Sequence, residues 1–147
     1  TSTRKQQAQS AAALHRIVQR VAVAEASRQS ALATYPSRND ALAVRDRLTG
    51  AIDIQLEAVD PVNGNPVTDE VFQTLSDLYA AVAEDMRVRG AKLPSVRTVT
   101  TTATLPALVV AYNVYGDAGR EAELVSRNHI RHPGFVPGGQ ELEVLNG

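Results

Sequence analysis

The last fifty or so residues constrain the fold most, because their chemistry changes repeatedly within a short span. Val96-Arg-Thr-Val-Thr-Thr-Thr102 is β-branched everywhere except Arg97 and reads as a strand. Thr104 then serves as an N-cap, and Leu105 and Pro106 open a helix at a position where proline's missing N–H costs nothing. Leu108, Ala111, Tyr112 and Tyr115 mark the expected buried side of this helix, and Gly116 supplies a left-handed stop. Asp117 begins a second short helix, with Glu121 and Glu123 early in it and Leu124 and Val125 pointing inward. That helix ends near Asn128, a residue type that tolerates the left-handed terminus. After Pro133-Gly134 and Pro137-Gly138-Gly139, the alternation from Gln140 to Leu145 reads as a closing strand. The expected order over residues 96–147 is βααβ.

Residues 1–95 carry a different pattern, in which long helical periodicities are separated by breakers. Helices are expected over about 3–34, 37–59 and 68–93. In the first, Leu14, Ile17, Val18 and Val21 share a face, and Tyr35-Pro36 ends the run because proline disfavours helical geometry in the residue before it. Ser37 is an N-cap for the second, with Asp40 in the first turn and Val44, Leu48, Ile52, Leu56 and Val59 as the apolar seam. Gly50 costs that helix about 1 kcal/mol relative to alanine, which suggests close packing against a neighbour. Asp60-Pro-Val-Asn-Gly-Asn-Pro66 reads as a tight turn. Thr68 caps the third helix, whose inner face is expected to be Phe72, Leu75, Tyr79, Val82 and Met86. The second and third helices would form an antiparallel hairpin, with the first as a third member of a bundle. The fold class is therefore α+β, mainly α: a helical hairpin or three-helix bundle (1–95) followed by a small βααβ module (96–147).

Composition narrows the function classes. Aromatics are 4% of the 147 residues and Trp is absent, so alanine supplies much of the apolar content and any core is thin. Ala-rich helices of this kind lean on close packing or on a partner. The formal charge of −1 gives no general electrostatic drive toward nucleic acid or an anionic membrane. The charge is uneven, however, since Arg4, Lys5, Arg16, Arg20, Arg28 and Arg38 stand against Glu25 alone in residues 1–38. The absence of cysteine excludes disulfides and thiolate chemistry. No apolar run approaches the length of a membrane span, and no signal-peptide pattern is present. Thr1 stands at the threshold of a helix, which suggests a piece of a longer polypeptide.

The tail carries a resemblance. A strand, Thr-Leu opening a helix, Tyr-Gly, Glu-Leu-Val-x-x-Asn, Pro-Gly-x-x-Pro-x-Gly and a terminal strand together look like a LysM domain, covering about a third of the chain. Tyr115-Gly-Asp-Ala118 and Glu123-Leu-Val-x-Arg-Asn-x-Ile-Arg-His-Pro-Gly-Phe-Val-Pro-Gly-Gly139 are similar to the C-terminus of the Mu-like prophage DNA circularisation proteins. The resemblance implies a structural component of a contractile phage tail or baseplate, whose N-terminal domain is absent from this chain. It implies protein–protein docking with other tail or baseplate proteins, in a homo-oligomer, on the virion and in the host cytoplasm before assembly. The family name implies an alternative, the holding of DNA ends, and LysM relatives imply a third, peptidoglycan binding. Glycan-binding LysM domains have Gly-Asp ahead of the Thr-Leu; Thr102 and Ala103 stand there in this chain, which weakens the glycan reading.

Candidate site residues follow from both lines. His129 and His132 have a spacing that zinc can use, but no third ligand is offered apart from Glu121 or Glu123, so structural or surface roles are expected and no metal. No nucleophile elbow, Walker loop or dinucleotide fingerprint is present, and neither an enzyme nor a cofactor is expected. Phe135, flanked by Pro133-Gly134 and Pro137-Gly138, either folds back onto the sheet or meets a partner. The docking candidates are His129, Arg131, His132, Phe135, Val136, Tyr112 and Tyr115, and the basic contact face is Arg4, Lys5, Arg16, Arg20 and Arg28.

Overall fold

From Ser2 to Tyr35 no proline or glycine interrupts the chain, so helix formation propagates without a break. The resulting helix α1 spans Ser2–Leu32. The computed structural model describes residues 2–60 and 64–146. They fall into two compact units, 1–93 and 94–147. With five α-helices and one two-stranded sheet among the described residues, the fold is α+β and mainly α.

The first unit is built on helices α2 (Arg38–Leu56) and α3 (Asp69–Gly90). Ser37 caps α2 as its sequence position requires: its Oγ accepts from Asp40 N–H at 3.2 Å and donates to the Asp40 carboxylate at 2.6 Å. A Cβ on Gly90 would lie 3.9 Å from both Ala41 Cβ and Arg38 Cγ, so the end of α3 meets the start of α2 and the two run antiparallel. Their core is Leu48, Ile52, Leu75 and Val82, bordered by Val23, Val44, Leu56, Val71 and Leu78. Asp60 and Gly64 close the connection, with Gly64 N–H donating to the Asp60 carbonyl at 2.7 Å; positions 61–63 of the expected turn lie outside the described residues.

Several expectations for this unit need correction. The helix α2 ends at Leu56, which leaves Val59 beyond the helix and exposed. On α3 the buried positions are Leu75, Val82 and Met86, with Val71 and Leu78 beside them, and this seam leaves Phe72 and Tyr79 on an uncovered flank. Thr68 occupies the N-cap of α3 without a side-chain cap bond, and the negative charge of Asp69 and Glu70 serves that helix end instead. A Cβ at Gly50 would meet nothing within 4 Å, so close packing does not account for this glycine. The largest departure is in α1. It seats Val23, Ser27 and Ser30 on the hairpin, while Leu14, Ile17, Val18 and Val21 are 63%, 57%, 64% and 62% exposed.

The second unit runs β1 (Ser95–Thr100), α4 (Ala107–Tyr115), a short 3-10 turn (Ala118–Arg120), α5 (Glu121–Arg127) and β2 (Glu141–Asn146). The strands pair antiparallel from Ser95↔Asn146 to Thr100↔Glu141. Ala107, Val110, Ala111, Leu124, Val136, Leu142 and Val144 form the core. Gly116 terminates α4 at φ 72°, donating to the Tyr112 carbonyl at 2.8 Å. Asp117 starts the next turn by accepting from Gly119 N–H at 2.8 Å.

Here too the register differs from expectation. The N-cap of α4 is Pro106, without a side-chain bond, and Thr104 Oγ1 instead accepts from Gly138 N–H at 3.2 Å. The buried stripe of α4 is Ala107, Val110 and Ala111, so Leu108 and Tyr112 face outward, 49% and 61% exposed. At the end of α5 the left-handed residue is His129 (φ 50°), whereas Asn128 keeps φ −95°.

Candidate docking surfaces

In the second unit two loops are fastened to each other. Thr101, buried just beyond β1, donates from Oγ1 to the Pro137 carbonyl at 2.6 Å and accepts there from Gln140 N–H at 3.2 Å. Its backbone exchanges bonds with Gln140 and Gly139. Leu105 and Val136 form a two-bond bridge at 3.0 and 2.8 Å, and Ala107 N–H donates to the Pro133 carbonyl at 2.6 Å. Gly138 passes so close to this partner loop that a Cβ would lie 3.0 Å from the Ala103 backbone. The loop 132–140 is thereby held against the start of α4.

The candidate residues divide on this scaffold. Val136 is fully buried and belongs to the core, which removes it from the docking set: its bridge to Leu105 turns the side chain inward. Phe135, its neighbour, is 74% exposed, so it projects outward rather than folding back. Tyr112 and Leu108 are a helical turn apart on the exposed side of α4. His129, Arg131 and His132 are exposed around the end of α5. Tyr115 is half-buried, with the Arg120 guanidinium 3.9 Å from its ring centroid, and Arg120 is held by Glu123 through two bonds of 3.0 Å. Burial raises the Tyr115 phenol pKa, and the Glu123 partner raises that of Arg120. Tyr115 is thus engaged within its own unit. Among the described residues no three His, Cys, Asp or Glu side chains gather as a metal site.

In the first unit the basic candidates also separate. Arg4 and Lys5 are exposed, as is Arg28, but Arg28 is occupied by Glu25 at 2.9 and 2.8 Å. That pairing lowers the Glu25 pKa, with Gln29 assisting. Arg16 and Arg20 are half-buried and line a cleft of about 220 Å³ with Ile17, Pro66 and Val71. Arg20 also opens onto a second cleft of about 450 Å³ between α1 and α3, walled by Val21, Ala24, Val71, Leu75 and Leu78. Ala24 and Leu78 continue into a third of about 320 Å³, so an apolar groove follows α1 along its flank. The Nε of Arg20 is buried there without a hydrogen-bond partner.

Three relationships were missed in the sequence. Arg89 donates to the Ser30 and Ala33 carbonyls at 2.8 and 2.9 Å, closing the end of α1 from α3. Asn128 pairs with the backbone of Glu143. Thr101 lies within a β-branched run, and nothing in that run distinguishes a strand threonine from a loop clasp. Among the described residues no helix is long and apolar enough to cross a membrane.

These features define a mainly helical α+β protein whose conspicuous surfaces are exposed apolar faces beside basic residues. No protein-family profile matches the chain. Over 99 residues the chain is 32% identical to the Mu-like prophage FluMu DNA circularization protein of Haemophilus influenzae. The match takes in 67% of this chain and 22% of that protein, so the chain spans roughly a fifth of the relative's length.

Proposed function

We propose that this chain is a non-enzymatic structural part of a Mu-like prophage tail or baseplate, made in the host cytoplasm and carried on the virion. Its second unit is a LysM-like module that docks on a neighbouring particle protein. The observation that carries this reading is Phe135, 74% exposed on a loop that hydrogen bonds hold against the start of α4. An exposed ring on a fixed loop costs hydration free energy, and docking recovers it. Leu108 and Tyr112 extend the apolar surface on α4, while Arg131 and His132 supply polar contacts. The prophage setting draws support from the relative's name. The order of β1, α4, α5 and β2 supports the LysM-like reading. A protein partner is favoured over a glycan because Thr102 and Ala103 replace Gly-Asp and Gly138 packs on Ala103.

A photo-crosslinking residue at Phe135, introduced in the intact prophage particle, tests the reading. A crosslink to another virion protein is expected. Particles that lack the protein, or a crosslinker that captures no virion protein, overturn it.

The relative's name favours a second reading, DNA-end holding, for which Arg4, Lys5, Arg16 and Arg20 on α1 would supply phosphate contacts. It requires duplex binding that falls steeply with salt, since neutralising each phosphate releases counterions. A chain that passes unretained over duplex DNA at low salt removes α1 from that role.

A further inference from the structure

We propose that the first unit pairs with a second copy of this chain, the α1 of each copy lying along the other's groove between α1 and α3. This concerns the first unit alone and does not rest on the docking reading of the second. The α1 helix is 31 residues long and leaves Leu14, Ile17, Val18 and Val21 more than half exposed in consecutive turns. Beside that stripe runs the groove walled by Val21, Ala24, Val71, Leu75 and Leu78. A ridge next to a groove on one surface is self-complementary, which is what a two-fold interface requires.

Charge identifies the occupant. From Ser2 to Ala24, α1 carries Arg4, Lys5, Arg16 and Arg20 and no acid. From Asp69 to Asp85, α3 carries Asp69, Glu70, Asp77, Glu84 and Asp85 and no base. Glu70, Thr74, Asp77 and Ala81 recur at steps of three or four, so they share one side of α3, and Glu70, Thr74 and Ala81 border the groove. A bare α1-on-α1 contact would oppose like charges. An α1 laid in the groove meets its opposite sign on the α3 rim.

The register agrees. Arg20 faces Glu70 across one cleft and Ala31 faces Asp85 across the next, so α1 and α3 run in the same direction. An antiparallel second α1 centred on Val18 brings its Arg16 level with Arg20, and so with Glu70 and Thr74. Its Lys5 comes level with Ala31, where Asp85 is already held by Arg89, so the charge match rests on Arg16 and Glu70. The apolar stripes of the two α1 helices then cover each other along the seam.

Sedimentation of the 147-residue chain through a dilution series tests this, with two charge-reversed variants. One carries Arg16→Glu and Arg20→Glu; the other carries Glu70→Lys and Asp77→Lys. The unaltered chain is expected to be a dimer that dissociates on dilution. Each variant is expected to dimerise at least about tenfold more weakly. Mixed one to one, the two variants restore opposite charges at both contacts of the pair, and a heterodimer is expected. Circular dichroism of each variant monitors its helices, and Val18→Glu supplies a route to the monomer that leaves every existing charge in place. A chain that stays monomeric at high concentration, or variants that dimerise as well as the original, overturn the proposal. So does a mixture of folded variants that forms no heterodimer.

Discussion

The side-chain amide of Asn128 pairs with the backbone of Glu143 as a neighbouring strand would. Its Oδ1 accepts from Glu143 N–H at 2.7 Å and its Nδ2 donates to the Glu143 carbonyl at 2.8 Å. The same Nδ2 donates to the Leu124 carbonyl at 3.0 Å, so one residue ties the end of α5 to the outer edge of β2. A two-stranded sheet is marginal alone, and this extra pairing extends it without a third strand.

Replacing Asn128 with alanine removes these bonds together. At about 1 kcal/mol net for each bond, discounted for the exposure of the strand edge, Asn128→Ala should destabilise the second unit by about 1–2 kcal/mol. Asn128→Asp keeps the acceptor but turns a charged oxygen toward the Leu124 and Glu143 carbonyls, so it should cost at least as much as alanine. Urea unfolding gives the ranking, and faster hydrogen exchange at the Glu143 amide locates the loss.

Gly138 and Gly134 share the same loop but face different surroundings. A Cβ at Gly138 would lie 3.0 Å from two backbone atoms of Ala103 and 3.2 Å from Thr104 N, and backbone cannot step aside as a side chain does. A Cβ at Gly134 meets nothing within 4 Å. Gly138→Ala should therefore cost about 1–3 kcal/mol, by forcing the clasped loops apart, while Gly134→Ala stays within about 0.5 kcal/mol of the original. Thermal melting of the two variants side by side checks the contrast.

Gly50 offers the opposite opportunity. It lies inside α2, a Cβ there would enter open space, and its backbone is helical. Gly50→Ala should raise the stability of the first unit by about 1 kcal/mol, through helix propensity and a less disordered unfolded chain. An unchanged or lower urea midpoint would contradict this.

Tyr115 predicts a dependence on pH. Burial raises its pKa above the ordinary tyrosine value, against a smaller opposing contribution from the Leu145 backbone. The folded residue thus holds its proton more firmly than the unfolded one. Its contribution is whole below the ordinary value of about 10 and is lost as pH rises through the folded pKa. Tyr115→Phe should flatten the fall in stability on the alkaline side, read as melting temperature against pH.

What the sequence made legible was local chemistry. Ser37 and Gly116 act at the helix ends where their side-chain and backbone preferences place them, and the Leu48–Ile52 seam of α2 is buried as its spacing implies. What it left open was which periodic face finds a cover. The Leu14, Ile17, Val18 and Val21 stripe has proper helical spacing, yet all four stay more than half exposed, because Val23, Ser27 and Ser30 take the hairpin. On α4, Ala107, Val110 and Ala111 go inward and the larger Leu108 and Tyr112 go out, although all five are apolar or amphipathic. Val136 and Phe135 are adjacent and both apolar, and the bridge to Leu105 decides which is core. That bridge joins residues far apart in sequence, where periodicity carries no information.

Arg89 holds the end of α1 and should be the most informative single change in the first unit. Its Nη2 donates to the Ser30 carbonyl at 2.8 Å and its Nη1 to the Ala33 carbonyl at 2.9 Å, satisfying acceptors that the helix leaves open at its terminus. Asp85 orients the guanidinium through Nε at 2.9 Å and through Nη2, and the Tyr35 ring lies 5.5 Å beneath it. The Asp85 pair is partly exposed and screened, so it contributes little alone; its use is to aim the fork. Arg89→Ala should destabilise the first unit by about 2 kcal/mol, chiefly from the lost carbonyl bonds. Arg89→Lys keeps the charge but not the planar fork, and should recover less than half of that loss. If charge alone mattered, lysine would restore stability in full. Hydrogen exchange across Val23–Ala33 should quicken in both variants while α2 stays protected. Because the seated half of α1 would then detach more often, both variants should also weaken the pairing of two copies.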